Sequence, residues 1–189
     1  MWALVESNNI SRLFTRPTAL TIGDVQYPAN IMSRWTASEL EAIGIYIVVE
    51  DESNLKDEMY YNNTDRTYAF ASGVVTSTRG TATAKNLADS GSGESLVRGL
   101  KTQKKVEVNN QAHGLLSQYD WYTIRAASGG TATPSAITTY QAAVRTAANS
   151  MCTKIDNAAN VDALAALYVY NSDDPTTRPL GEWPEEPTV

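Results

Sequence analysis

Bond-making chemistry needs nucleophiles, bases and orienting groups in combination, so the single His113 and single Cys152 of this 189-residue chain are the first residues to weigh. A serine or cysteine nucleophile generally needs a base, and the base needs a third group to orient it. His113 stands between Ala112 and Gly114 in a helically patterned stretch and reads as an ordinary, partly exposed helix residue. Cys152 follows Met151, one turn after Ala148, and reads as a small hydrophobe flanking a core. One His and one Cys exclude two-histidine zinc motifs, multi-cysteine metal sites and an intramolecular disulfide. Carboxylates are paired at Asp51-Glu52, Asp57-Glu58, Asp173-Asp174 and Glu185-Glu186. Glycoside hydrolysis holds two carboxyls roughly 5–10 Å apart across a sugar cleft. These four pairs read instead as polar segments between strands or in the tail. Gly91-Ser92-Gly93 follows no predicted strand and lacks the Lys-Ser/Thr of a phosphate loop. The expectation is a chain that is not an enzyme, with no catalytic residue, cofactor or metal.

Charge narrows the partners. Fifteen Lys and Arg oppose twenty-one Asp and Glu, for a net charge of −6 and a pI near 4.8. Nucleic-acid affinity comes mostly from neutralising phosphates, and this balance argues against it. It argues equally against docking on an anionic membrane. The cluster Lys101, Lys104 and Lys105 reads as a solvated helix face. The N-terminus lacks the basic start and apolar stretch of a signal peptide. The longest strongly apolar run, residues 45–49, falls far short of the ~20 residues of a membrane helix. A soluble chain made in the cytosol is expected.

Residues 1–78 hold most of the β-branched and aromatic runs. Residues 2–6, 10–15 and 20–22 are each stopped by Asn, Gly, Asp or Pro, which marks short antiparallel strands. Thr36-Ala37-Ser38-Glu39 has the form of a capping box opening one short helix. Leu40 and Ile43 can face the sheet together, and Gly44 can end the helix in a left-handed conformation. Ile45–Val49 then reads as a strand covered on both faces. Residues 59–62, 66–70 and 74–78 are further strand candidates. Trp2 and Trp35 read as core residues of this β-rich domain.

Residues 79–95 read as a Gly/Ser/Ala/Thr linker, flexible around Asp89-Ser90-Gly91-Ser92-Gly93. A helical domain follows over 96–170. Val108, Ala112, Leu115, Tyr119, Tyr122 and Ala126 fall on one stripe of a long helix, which Ser128-Gly129-Gly130 ends. Thr133-Pro134 supplies a cap and a first-turn proline. Ile137, Tyr140, Val144, Ala148, Met151 and Ile155 form the second stripe, and Asn160 can cap a last short helix. These elements make a helical hairpin or three-helix bundle. Segment 96–107 is more polar, so it is solvated around most of its circumference or packs on another copy of itself. Residues 171–189 carry Pro175, Pro179, Pro184 and Pro187 and read as an extended tail. The fold class is therefore α+β.

The aromatic residues are the remaining unusual feature. Trp121 lies off the stripe of Tyr119 and Tyr122, and one small bundle does not readily bury all three. The plainer reading is a broad apolar face that closes the bundle. The functional reading is a protein–protein contact, because Trp and Tyr dominate interface energetics. The interface candidates are Tyr119, Trp121, Tyr122, Trp183 and Leu180, the last two as anchors of the tail.

Several segments carry a resemblance. Residues 1–6, Tyr27-Pro28-Ala29-Asn30-Ile31 and residues 35–46, from Trp35-Thr36-Ala37-Ser38-Glu39 onward, look like the N-terminal region of tail proteins of tailed bacteriophages. Leu115–Tyr122 is similar to the T-D-W segment of phage tail fibre and tail-assembly proteins, with Tyr119 where Thr is usual. Pro134 followed by Tyr140-Gln141-Ala142-Ala143-Val144-Arg145 resembles that group's P…Y-R-x-x-(L/I)-R helix, with Gln141 where Arg is common. The resemblance covers both ends of the chain and thins in the middle. It implies a virion protein of the tail fibre, fibre base or baseplate periphery. Such an adaptor is made in the host cytoplasm and bound to other tail proteins, with a possible host surface receptor. The alternative is a tail fibre assembly chaperone absent from the mature virion, and a lesser one a carbohydrate-binding receptor module whose aromatic residues stack on sugars. Homo-oligomerisation, with a trimer favoured, is expected from segment 96–107.

Overall fold

A computed structural model describes residues 1–188. The chain divides into two compact units, Met1–Thr83 and Ala84 onward. Its class is mixed α and β, with the strands gathered in the first unit and the long helices in the second.

The first unit contains β1 (Trp2–Glu6), β2 (Asn9–Phe14), β3 (Leu20–Ile22), β4 (Val25–Tyr27), α1 (Ile31–Arg34), α2 (Ala37–Glu41), β5 (Ile45–Asp51), β6 (Tyr61–Asn62), β7 (Arg66–Ala71) and β8 (Val74–Arg79). Five strands form a sheet in the order β2-β1-β5-β8-β7, and β3-β4 form a separate hairpin. The outer strands β2 and β7 approach each other, so the sheet curls. Two hairpins use two-residue turns with left-handed backbone. Ser7 and Asn8 join β1 to β2, and Ser72 and Gly73 join β7 to β8, all at positive φ. Such turns match the twist of the strands they connect.

The sheet is not purely antiparallel as the sequence suggests, because β5 and β8 run parallel, with Val48 opposite Val75. Parallel neighbours need a crossover, and the 22 residues between them supply it. Two helices stand where one is expected. The extra single turn α1 carries buried Ile31 and Met32 onto the cluster of Leu4, Phe14, Leu20, Leu40 and Ile45. Cover on both faces exists only at the start of β5. Ile45 joins that cluster and Val48 packs opposite it with Ala3 and Val75, while Ile47 and Val49 are exposed.

The capping box forms as read. Glu39 N donates to Thr36 Oγ1 at 3.3 Å, and Thr36 N donates to Glu39 Oε2 at 2.8 Å. The Thr36 N–H and hydroxyl, both donating to it, hold the Glu39 carboxyl below the usual carboxylate range. Gly44 sits at φ +81°, and a Cβ there would stand 2.9 Å from Val5 O. Only glycine fits, since Val5 N also donates to Gly44 O at 2.8 Å. Trp2 is half-buried against the same cluster, whereas Trp35 is exposed and meets Tyr27 edge-on.

The second unit contains α3 (Leu100–Ser117), α4 (Asp120–Ala127), α5 (Ser135–Asn157) and α6 (Val161–Ala166). Helix α3 pairs with α5. All six residues of the α5 stripe are buried. Asn160 caps α6, its Oδ1 accepting from Ala163 N at 2.8 Å. The long helix expected through residue 126 is broken at Tyr119, whose backbone leaves the helical region. Neither proline nor glycine marks the break. Tyr119 instead buries its ring edge-on against Tyr140, with 5.4 Å between centroids. Pro134, not Thr133, takes the N-cap position of α5, and the Thr133 hydroxyl donates to Tyr122 O.

The stretch read as a linker has hydrogen bonds of its own. Ser90 and Val97 exchange backbone bonds of 2.9 and 2.8 Å, and Asp89 Oδ1 accepts from Gly99 N at 2.8 Å. Gly93–Ser95 form a short 3-10 turn, and α3 begins at Leu100, not at 96. The lysines of segment 96–107 find partners inside the chain, while its Leu96, Val97 and Val106 stay exposed. Lys105 pairs with Asp156 at 2.7 Å, Lys101 donates to Asp156 O, and buried Lys104 pairs with Glu107 under the ring of Tyr168. The bond to Asp156 raises the Lys105 pKa.

Candidate functional site

Residues with catalytic potential do not converge. His113 is exposed on α3. Cys152 is half-buried on α5 beside Asn109, and burial pushes its thiol up, away from the thiolate a nucleophile needs. At least one carboxylate in each of three of the pairs is already engaged. Asp51 caps Ser53 N, Glu52 binds Arg66, Asp57 accepts from Met59 N, and Asp174 accepts from Thr176. Among the described residues no group of three or more His, Cys, Asp or Glu is placed to hold a metal ion. No helix there is long and apolar enough to cross a membrane.

What the second unit does present is aromatic surface, in two places. The first is α4, which buries none of its residues. Trp121 is 51 % exposed and Ile124 is 65 % exposed. Three residues apart on one helix, they lie on one face. The Arg125 guanidinium sits 4.7 Å from the Trp121 ring centre and 5.2 Å from that of Tyr122, and the two rings lie 3.9 Å apart. The two rings are tilted by 35° and the guanidinium lies within cation–π reach of both, so the three side chains restrain one another and lose less freedom on binding. Tyr119, at the base of the helix, is buried, and burial raises its hydroxyl pKa, with the Glu186 charge adding to the effect.

The second place is the tail. Residues 171–188 form no helix or strand, but they are pinned. Leu180 is 1 % exposed, and its N–H donates to Leu167 O at 2.9 Å. Lys154 Nζ donates to the carbonyls of Pro179 and Leu180 at 2.8 and 3.0 Å. Leu180 is therefore an internal anchor and offers nothing to a partner. Trp183 is half-buried, and its Nε1 donates to Gln111 Oε1 on α3 at 3.1 Å. A cleft of about 600 Å³ opens between α3 and this part of the tail, with Tyr170, Arg178 and Glu182 on its far wall.

Of the five sequence candidates, the structure thus exposes Trp121 strongly, leaves Tyr122 and Trp183 half-covered, and buries Tyr119 and Leu180. Sequence reading missed Ile124, Arg125 and Tyr170. The Trp121–Arg125 spacing of four residues was the available signal for the first two. A scan against protein-family models, a search of curated proteins and a search of solved structures each find no match.

Proposed function

We propose that this chain is a structural protein of a phage tail, working through protein–protein contacts and not through catalysis. The Trp121–Tyr122–Arg125 cluster on α4, with Trp121 exposed and the other two half-covered, carries this reading. Trp, Tyr and Arg are the residue types that concentrate binding energy at protein interfaces. Here they lie side by side, with Ile124 extending the apolar face. The resemblance of residues 1–6, 27–31, 35–46 and 115–122 to tail proteins supports the setting. Fibre, fibre base and baseplate periphery all fit an adaptor of two units.

Mass spectrometry of gradient-purified particles tests the reading. The chain should be present at fixed copy number, and Trp121→Ala should lower its incorporation at least tenfold without changing its level in the lysate. Abundance in the lysate with absence from purified particles would overturn it in favour of an assembly chaperone.

A further inference from the structure

The cleft between α3 and the tail has a chemistry different from that of the α4 surface. Its walls combine two aromatic rings, Tyr170 and Trp183, with four planar polar groups, Gln111, Gln118, Arg178 and Glu182. These groups hold one another. Gln111 accepts from the Trp183 indole, which fixes the ring by its edge and leaves its own amide N–H groups over. Arg178 Nε meets Glu182 Oε1 at 3.2 Å, and its guanidinium lies 5.8 Å and 5.4 Å from the ring centres of Tyr168 and Tyr170. Gln118 Nε2 donates to Gly114 O at 3.4 Å, and its side-chain amide carries an acceptor oxygen as well. Tyr170 is 49 % exposed.

A pyranose ring has one face of C–H bonds and a rim of hydroxyls, each both donor and acceptor. Aromatic rings take the C–H face, and planar amide, guanidinium and carboxylate groups take pairs of adjacent hydroxyls. We propose that this cleft binds a neutral saccharide, one hexopyranose unit stacking on Tyr170 or Trp183 with its hydroxyls on Gln111, Gln118 and the Arg178–Glu182 pair. The pairing of Arg178 with Glu182 cancels the local charge, which is why an uncharged sugar is favoured over an acidic one. The volume suits a ring with its immediate neighbours, and the wall mixes Leu115, Tyr170 and Trp183 with the four polar side chains, so apolar contact and oriented polar groups are offered together. A shallow site of this kind gives a dissociation constant on the order of 1 mM for one unit, and repeated copies on an assembly multiply it. The proposal does not depend on the phage-tail reading: a chain found in no particle could still bind sugar here, and a tail protein could leave the cleft empty.

The test is saturation-transfer NMR on the full chain with maltotriose, cellotriose, chitotriose and mannotriose. Ring protons of at least one should receive saturation. Tyr170→Ala, whose ring is half-exposed, should reduce that transfer at least fivefold with an unchanged thermal melt. Trp183→Ala should abolish it, and Gln118→Ala should weaken it with the fold intact. No transfer to any of the four sugars, or equal transfer in Tyr170→Ala, overturns the proposal.

Discussion

Helices α4 and α5 lie a few residues apart in one unit and meet opposite fates. Helix α5 repeats its apolar residues at 137, 140, 144, 148, 151 and 155 and buries every one. Helix α4 carries Trp121, Tyr122 and Ile124 in eight residues and buries none. The apolar content is comparable, so composition does not decide. The partner does: α5 lies along α3 for most of its length, whereas α4 begins at the Tyr119 break and turns its large groups outward. An apolar face left open on a helix costs solubility unless something else covers it, and in α5 the same kind of face holds the unit together.

The contrast can be broken at its strong end first. Ile155→Ala removes a fully buried side chain from α5. It should cost about 2–5 kcal/mol, read from the urea midpoint of unfolding at constant slope. Next comes Gly99→Ala, because a Cβ there would stand 2.3 Å from Ala88 O. Backbone has to move to admit it, at about 1–3 kcal/mol by the same measurement. A Gly99→Ala chain as stable as the parent would show that residues 84–99 give way freely. Asn160→Ala removes the one side-chain acceptor at the start of α6 and should cost about 1 kcal/mol. Trp121→Ala belongs at the weak end. It should change the stability of the isolated chain by less than about 0.5 kcal/mol, while its effect on particle incorporation is large. A large loss of stability would place Trp121 among the packed residues after all.

Acid titration sharpens the comparison elsewhere. The N–H of Gly99 holds the Asp89 carboxyl below its ordinary range. A carboxyl depressed in the folded state contributes stability above its unfolded pKa of about 3.9 and loses it as pH falls through the folded pKa. The parent should therefore lose more stability than Asp89→Asn between about pH 5 and pH 2. Equal slopes for the two would remove Asp89 from the acid response.

Local features of the fold were legible because their causes are local. The Thr36–Glu39 box, the Asn160 cap and the α5 stripe each depend on residues three or four apart. The β5–β8 pair was not, because parallel pairing across 22 residues is set by which strands can reach each other, and no short motif encodes it. The Tyr119 break escaped for a related reason: the ring of Tyr140, 21 positions along the chain, makes it worthwhile. Gly91 reads as softness in a Gly/Ser run, while the structure uses it, like Gly99 further on, where chain passes close to chain. For the surface, residue types single out Trp121 and Tyr122 but do not separate exposed from covered, and the structure leaves Trp121 exposed and Tyr122 half-covered. Leu180 looks as available as Trp183 in the sequence, and only the packing shows it covered.

Leu180 also sets how the end of the chain can come away. It is the one buried side chain among residues 171–188. The ammonium of Lys154 grips the carbonyls on either side of the bond leading into it. The flanking stretches can each lift by breaking contacts one at a time, but the segment as a whole leaves only when a leucine is withdrawn and two carbonyls lose their donor together. Detachment of this segment is thus a single cooperative event at one rivet.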